Sequence, residues 1–203
     1  MPPIDLLATH LGGLSPTAAV SIGSGVTADA PPDVTVGDGS RLEIGDGVIL
    51  RKDVEIRVTG GATVRLDARV KLDRGVRIIA ANGSTVHIGE ESAIGIGSVL
   101  NGGDSITVGK LCLVSGYVYL QTSMHRHDRG VPIRHQGYDH APVVLGDDVW
   151  LGAHVVVLPG CDLADGTVVG SNAVLRASTA CDEIWAGVPA RRIGVRGEGQ
   201  PAV

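Results

Sequence analysis

Aliphatic residues recur at every sixth position in the C-terminal half of the chain, and a small residue follows four places after each. The aliphatic series is Leu145, Leu151, Val157, Leu163, Val169 and Leu175, and the small series is Val149, Val155, Cys161, Thr167, Ala173 and Thr179. A period of six matches neither the 3.6 residues of an α-helix nor the simple alternation of a β-strand. It is typical of short strands separated by sharp corners around a prism, so it predicts a coil of strands.

The upstream sequence carries the same coil, marked by pairs of aliphatic residues that flank a single residue. The pairs are Val20 and Ile22, Leu42 and Ile44, Val64 and Leu66, Val86 and Ile88, and Ile106 and Val108. The second members of successive pairs are separated by 22, 22, 22 and 20 residues, which is three hexads plus a few residues at a corner. Each turn therefore has three faces, and about seven turns bury one aliphatic column. An ordinary all-β domain is the alternative, but chance rarely keeps six successive hexads in phase.

The pattern predicts an all-β fold with a single β-helix domain at residues 16–180, which an excursion loop at residues 121–142 interrupts. Residues 1–15 are expected to form a loose or short helical N-terminal cap, and residues 181–203 a C-terminal cap and tail. The length of 203 residues and the hydrophobic content of 43% suit one core. Aromatic residues make up only 2%, as a narrow interior requires.

The excursion loop is the one segment of the sequence that is rich in histidine. Four of the seven histidines of the chain are in it, together with three arginines, two aspartates and a tyrosine: His125, His127, His135, His140, Arg126, Arg129, Arg134, Asp128, Asp139 and Tyr138. Histidine can accept and return a proton near neutral pH, so the loop is a candidate site of acid–base chemistry. Cys112 and Cys161 fall on inward positions and are expected to be buried. The three cysteines show no metal-type spacing, and we expect no metal and no disulfide framework.

Three segments, residues 142–160, 169–174 and 186–192, resemble the hexapeptide-repeat acyltransferases. Within that family they are most similar to the galactoside, maltose and capsular-polysaccharide O-acetyltransferases. The resemblance implies a left-handed parallel β-helix of about seven triangular coils. It also implies a homotrimer, with acetyl-CoA as acyl donor lying in the groove between neighbouring prisms, and a sugar or other small hydroxylated molecule as acceptor.

The same resemblance implies a catalytic histidine. In those enzymes a histidine about two dozen residues before a tryptophan of the coil acts as general base, and Trp150 follows His125 by 25 residues and His127 by 23. The stretch from Met124 to Asp128 resembles an Asp-His-x-His motif whose first histidine aligns with the base, so His125 is our candidate and His127 the alternative. Met124 replaces the aspartate of the motif, which leaves Asp128 as a possible orienting carboxylate.

The remaining candidates concern the two substrates. Gly152, Ala153 and Ser171 stand where the resembling enzymes let the pantetheine arm lie against the backbone, although corner positions alone would also favour small residues. Arg191 and Arg192, with Arg176 behind them, are candidates for the phosphates of CoA, because guanidinium groups match phosphate geometry. The candidates for contact with the acceptor are Trp150, Asn101 and Tyr138. Trp150 occupies an outward hexad position, and a contact between subunits of a trimer would also explain an indole there.

Charge and composition exclude some functions and leave others open. A formal charge of -5 argues against nucleic-acid binding. No apolar run approaches a membrane span and no signal sequence is evident, so a cytoplasmic protein without a membrane partner is expected. Three alternatives stay open: N-acetylation of an amino sugar, a non-catalytic scaffold, and a zinc enzyme like the γ-class carbonic anhydrases with His135 and His140 among the ligands.

Overall fold

The computed structural model describes residues 13–198, which wind into a parallel β-helix with three short strands per turn. Every pairing between neighbouring turns is parallel, which makes the chain a solenoid of about seven turns. The fold class predicted from the hexads is therefore confirmed. Residues 1–12 of the expected N-terminal cap and residues 199–203 of the expected tail lie outside the described residues.

Most of the strands are two or four residues long. Before the interruption they are β1 (Gly13–Leu14), β2 (Ala19–Ile22), β3 (Thr27–Ala28), β4 (Asp33–Val36), β5 (Arg41–Ile44), β6 (Ile49–Leu50), β7 (Glu55–Val58), β8 (Thr63–Leu66), β9 (Lys71–Leu72), β10 (Arg77–Ala80), β11 (Thr85–Ile88), β12 (Ala93–Ile94), β13 (Val99–Gly102), β14 (Ile106–Val108), β15 (Leu113–Val114) and β16 (Tyr119–Gln121). The interruption contains β17 (Ser123–His125), a 3-10 turn (Ile133–His135) and β18 (Tyr138–His140). The coil continues with β19 (Val143–Leu145), β20 (Trp150–Leu151), β21 (Val156–Val157), β22 (Asp162–Leu163), β23 (Val168–Val169), β24 (Val174–Leu175), β25 (Glu183–Gly187) and β26 (Ala190–Val195).

These strands form the three faces of the prism. Face A contains β1, β4, β7, β10, β13, β16, β21 and β24, and face B contains β2, β5, β8, β11, β14, β19 and β22. Face C contains β3, β6, β9, β12, β15, β20 and β23 and ends with β25 and β26. The register pairs Leu42 with Val64, Val64 with Val86, and Val86 with Ile106, so the aliphatic pairs of the sequence stack directly above one another.

The core is one continuous column of aliphatic side chains. All six aliphatic hexad residues are buried, with exposures of 0% or 1%. Cys112 and Cys161 are buried as expected, and burial raises the pKa of both thiols. Serines at the corners bridge neighbouring coils: the Ser92 hydroxyl donates to the Gly109 carbonyl at 2.7 Å and accepts from the Cys112 amide at 2.9 Å. Because its buried polar atoms are hydrogen-bonded, this core holds one register.

The interruption is an antiparallel arm, which the hexad pattern did not predict. Strands β17 and β18 pair antiparallel, and the 3-10 turn lies between them near the tip. The arm leaves the coil after β16 on face A and returns at β19 on face B. It therefore projects from the corner between faces A and B, which is opposite face C in a triangular prism.

The C-terminal end of the coil is covered by a hairpin. Strand β25 continues face C in parallel with β23, and β26 folds back antiparallel on β25. Glu183 accepts hydrogen bonds from the Ala180 amide and from the Trp185 indole, each at 2.9 Å, and forms a 2.9 Å ion pair with Arg192. These contacts tie the hairpin to the last coil.

Candidate functional site

One surface of the arm carries a row of four side chains that contact one another. The ladder places Ser123 opposite His140 and His125 opposite Tyr138, so all four project from the same side of the hairpin. The His125 and Tyr138 rings lie 4.1 Å apart between centroids with an angle of 34° between their planes. The Tyr138 and His140 rings follow at 6.0 Å, and the Ser123 hydroxyl is 2.9 Å from His140 Nδ1. The row therefore runs from the root of the arm to His125.

The root of the arm rests on the prism where the coil lacks a side chain. A Cβ atom added at Gly103 would collide with Ser123 Oγ and would lie 3.1 Å from His140 Nδ1. Only glycine leaves room for both groups at this position. Ser123 and His140 are thus fixed between the ladder and the coil, and they fix the start of the row that ends in His125.

The opposite surface of the arm is charged. The Arg126 Nε atom donates to Asp139 at 2.6 Å, and this contact raises the pKa of the Arg126 guanidinium. A cleft of about 320 Å³ is lined by Arg126, His127, Asp128 and Asp139. His127 Nδ1 lies 3.1 Å from the His125 carbonyl oxygen. The His127 side chain therefore contacts the backbone of its own strand, whereas the His125 ring contacts the ring of Tyr138.

Asp128 takes part in the tip of the arm through its backbone. The Gln136 side chain accepts from the Asp128 amide at 2.7 Å and donates to the carbonyls of Asp128 and Val131 at 3.0 and 2.7 Å. Among the hydrogen bonds of residues 13–198, none joins the Asp128 carboxylate to His125. The orienting role expected for Asp128 thus has no contact in this structure, and Tyr138 is the side chain that contacts the His125 ring.

A second group of candidates lies on face C and on the corner between faces C and A. Trp150 faces outward from β20 with 40% exposure, as its hexad position predicted, and its indole N–H donates to Ser115 Oγ at 3.3 Å. Next to it on the corner, Tyr117 and His154 stack with centroids 5.1 Å apart and an angle of 8°. The result is an exposed aromatic surface on the side of the prism away from the arm.

Gly152, Ala153 and Ser171 lie together on this corner. A Cβ atom at Gly152 would lie 2.6 Å from the Ser171 amide nitrogen, so glycine permits the close approach of two coils. The Gly152 amide already donates to the Val169 carbonyl at 2.8 Å, and the Gly146 amide to the Leu163 carbonyl at 2.7 Å. Among the described residues, the Ala153 amide donates no hydrogen bond. The same holds for the Ser171 amide on the next coil, so the corner beside Trp150 offers two backbone donors without a partner among the described residues.

The three candidate arginines differ in whether their guanidinium groups already form ion pairs or hydrogen bonds within the chain. Arg192 is paired with Glu183, and Arg191 donates to the Ala190 carbonyl at 3.0 Å. Arg176 follows β24 and is exposed. Asn101 lies on face A, where its side-chain amide donates to the Tyr119 hydroxyl at 2.9 Å. The arm, face A and the C-terminal hairpin thus each hold part of the predicted set.

Comparison with known proteins finds a family model that matches part of the coil. Residues 142–177 match the family described as bacterial transferase hexapeptide (six repeats). The chain resembles the hexapeptide-repeat acyltransferases. Over 98 residues it is 35% identical to WbbJ of Escherichia coli (strain K12), which is named as a lipopolysaccharide biosynthesis O-acetyl transferase. That alignment covers 44% of this chain, and the chain spans half the length of this relative.

Two solved structures are similar in fold. The hexapeptide-repeat acetyltransferase VCA0836 of Vibrio cholerae O1 biovar eltor, complexed with acetyl coenzyme A, is 28% identical with a TM-score of 0.53. That alignment covers 58% of this chain and 64% of that chain. A point mutant of AntD, an N-acyltransferase from Bacillus cereus in complex with dTDP and coenzyme A, has a TM-score of 0.65 at 22% identity, covering 78% and 84%.

The coil separates the predicted residues of the arm from those around Trp150. His125, His127 and Tyr138 are together on the arm, at the corner between faces A and B, whereas Trp150, Gly152, Ala153 and Ser171 are on face C and its corner with face A. Sequence reasoning did not find Ser123 or Gln136. The ladder identifies them, because Ser123 alternates with His125 along one strand and Gln136 follows the 3-10 turn.

The described residues hold neither a grouped set of metal ligands nor a helix that could span a membrane. Within residues 13–198, no three histidine, cysteine, aspartate or glutamate side chains are grouped as a metal site would require. Over the same residues, no helix has the length and apolar character needed to cross a membrane.

Proposed function

We propose that the chain is a coenzyme A-dependent acyltransferase that transfers the acetyl group of acetyl-CoA to a hydroxyl of a sugar or other small hydroxylated molecule. The observation that carries the proposal is a coil that, within residues 13–198, is interrupted by an arm on which the His125 imidazole lies against the Tyr138 ring. The names of the relatives, which include O-acetyl transferases and an acetyl-CoA complex, support the reaction. Cytoplasmic location is part of the same proposal.

The reaction uses one group on the arm, His125, and one on the coil, the Ala153 amide. An acceptor hydroxyl is a weak nucleophile, and His125 removes its proton as the oxygen attacks the thioester carbonyl. The carbonyl oxygen becomes an oxyanion, which the free amide of Ala153 can stabilise by a hydrogen bond. Collapse of this intermediate forms the acetyl ester and expels the CoA thiolate, which takes up the proton from His125. No covalent enzyme intermediate is needed.

The placement of the two groups favours a site shared between copies of the chain. The arm projects from the corner opposite face C, so the His125 imidazole and the Trp150 indole lie on different sides of one prism. An arm of one copy can approach face C of a second copy. Three such contacts close a ring in the homotrimer that we propose, with acetyl-CoA between neighbouring prisms.

Acetyl-CoA would then run from Trp150 toward the C-terminal end. The small residues Gly152, Ala153 and Ser171 leave backbone accessible for the pantetheine arm, and Arg176, Arg191 and Arg192 supply cations for the phosphates. The ion pair of Arg192 with Glu183 leaves Arg176 and Arg191 as the less occupied partners.

The proposal is tested with purified protein, acetyl-CoA and a panel of acceptors. Glucose and other glycosides test hydroxyl transfer, and glucosamine tests the alternative of N-acetylation, since an imidazole base can serve an amine as well. Release of the CoA thiol and the mass of the product report the reaction. Thermal stabilisation by CoA reports donor binding without turnover. Absence of both CoA release and CoA stabilisation would favour a non-catalytic scaffold.

A further inference from the structure

Face C contains a groove of 420 Å³ on the N-terminal side of Trp150. The outward side chains of successive coils on this face are Lys71, Ala93, Leu113 and Trp150. Ala93 is the shortest of them, so the surface is depressed between Lys71 and Leu113. Gly95 extends the depression to the corner because it has no side chain. The volume is within the range of small-molecule sites.

The N-terminal end of the groove is lined by two cations, Arg51 and Lys71, and by one acid, Asp73. Lys71 has no carboxylate within ion-pair distance among the described residues, and its ammonium group has three N–H donors. Arg51 uses one of five donors on Asp29 at 3.1 Å, which is not part of the groove lining. The one acid of the lining, Asp73, accepts the Arg74 amide at 2.7 Å. On a protein of charge -5, this end of the groove offers several unused cationic donors.

The other end of the groove is apolar and lies next to the Trp150 indole, which is outside the lining. Leu113 is 54% exposed and lies beside Trp150 in the ladder, and the Trp150 indole is held by Ser115, which also lines the groove. Lys71 and Trp150 are three strand spacings apart, about 14 Å at about 4.8 Å per spacing. This distance exceeds the size of one hexose ring, so a ligand that fills the groove needs a ring and an additional group.

We propose that this groove binds the acceptor and that the acceptor carries an anionic oxygen group, a phosphate or a carboxylate, which Lys71 and Arg51 hold at the far end. The hydroxyl that reacts then lies at Trp150. Of the candidate donor contacts, Gly152 and Ala153 follow Trp150 in the same coil and Ser171 lies one coil further toward the C-terminal end, so the two substrates would meet at the indole. This inference rests on the proposed function for the meeting point but not for the binding of the anion.

The test compares glucose with derivatives that carry a phosphate or a carboxylate. Glucose, glucose 1-phosphate, glucuronate and UDP-glucose are measured as acceptors with acetyl-CoA, and their binding is measured separately by thermal shift without donor. Lys71→Ala and Arg51→Ala remove the cations, and Ala93→Leu fills the floor of the groove. Lys52→Ala is the matched control, because Lys52 is an exposed cation next to Arg51 that does not line the groove.

We expect at least one anionic compound to bind and react better than glucose. Lys71→Ala should raise KM for that compound by about tenfold while kcat changes little, as for the loss of a charge-assisted contact. Ala93→Leu should weaken all acceptors, and Lys52→Ala none. A preference for phosphate over carboxylate, or the reverse, identifies the group.

Two results would overturn the inference. One is equal use of glucose and the anionic compounds; the other is an unchanged KM in both Lys71→Ala and Arg51→Ala. If an anionic compound binds in a Lys71-dependent way but no acetyl transfer occurs with any acceptor, the groove is retained and the proposed reaction is wrong. If Ala93→Leu unfolds at the same temperature as the parent but shows no thermal shift with the acceptor, its loss of binding is due to the filled groove and not to misfolding.

Discussion

The imidazole of His125 lies against the ring of Tyr138, with centroids 4.1 Å apart and an angle of 34° between the planes. The two residues are directly opposite in the antiparallel ladder, and Tyr138 is itself followed by His140, which contacts Ser123. An exposed histidine on an irregular loop would sample many orientations. Here the contact restricts the imidazole, as a general base requires.

Replacing His125 by alanine should abolish most of the acetyl transfer. Loss of a general base typically lowers kcat by about 10²–10⁴-fold, while donor binding should persist. His127→Ala, whose ring lies beside the backbone of the same strand, should retain most activity, and His135→Ala on the 3-10 turn is the control. CoA release under saturating acetyl-CoA is the measurement. Full activity in His125→Ala, with loss in His127→Ala, would transfer the role to His127.

Replacing Tyr138 should separate ring contact from hydroxyl chemistry. Tyr138→Ala removes the surface on which His125 rests, and we expect kcat to fall by about tenfold because the base is less well oriented. Tyr138→Phe keeps the ring and should stay near the parent kcat. Steady-state kinetics with KM and kcat determined separately checks this. A rise in KM alone in both variants would instead make Tyr138 an acceptor contact, as the sequence suggested.

Much of the prism can be predicted from the sequence because its period is set by backbone geometry. Leu145 and Leu163 are buried in one column as the hexads require, and Trp150 faces outward. Each coil needs apolar residues that point inward and residues that allow tight corners. The signal therefore accumulates over about seven turns.

The arm and the groove could not be predicted in the same way. The contact of Ser123 with His140 depends on the register of a hairpin that has no repeat, and four histidines in the segment give no preferred pairing. The groove depends on Ala93 being short between Lys71 and Leu113, which are neighbours only once the coils are in register. Such sites arise from differences between coils rather than from their repetition.

Truncating a core residue should measure what the column contributes. Leu163→Ala removes a fully buried side chain, and the free energy of unfolding should fall by about 2–5 kcal/mol. Val131→Ala at the exposed tip of the arm is the control and should change it by less than about 0.5 kcal/mol. Denaturant unfolding provides the comparison. Equal effects of the two substitutions would contradict a shared interior column.

Glycine at a corner of the coil should be required where the next coil approaches its backbone. A Cβ atom at Gly89 would lie 2.6 Å from the carbonyl carbon of Gly109, whereas one at Gly37 would meet nothing closer than 3.6 Å. Neither residue has a positive φ, so steric contact is the difference between them. We expect Gly89→Ala to lower stability by roughly 1–3 kcal/mol and Gly37→Ala to be neutral or slightly stabilising. Thermal unfolding of both variants checks it, and an equal Tm would show that the coils can separate locally at little cost.

Acid should weaken the C-terminal hairpin through Glu183. The hydrogen bond from the Ala180 amide, opposed by partial burial and reinforced by Trp185 and Arg192, lowers the pKa of Glu183 below its usual value of 4.5. Because the folded pKa is lower than the unfolded one, this stabilisation is complete above the unfolded pKa and is lost as pH falls through the folded pKa. Glu183→Gln, which cannot ionise, should be less stable than the parent near neutral pH and should lose the part of the acid dependence that Glu183 supplies. Thermal unfolding between about pH 6 and pH 3 measures both effects. Parallel acid profiles for the parent and Glu183→Gln would show that the hairpin does not depend on this carboxylate.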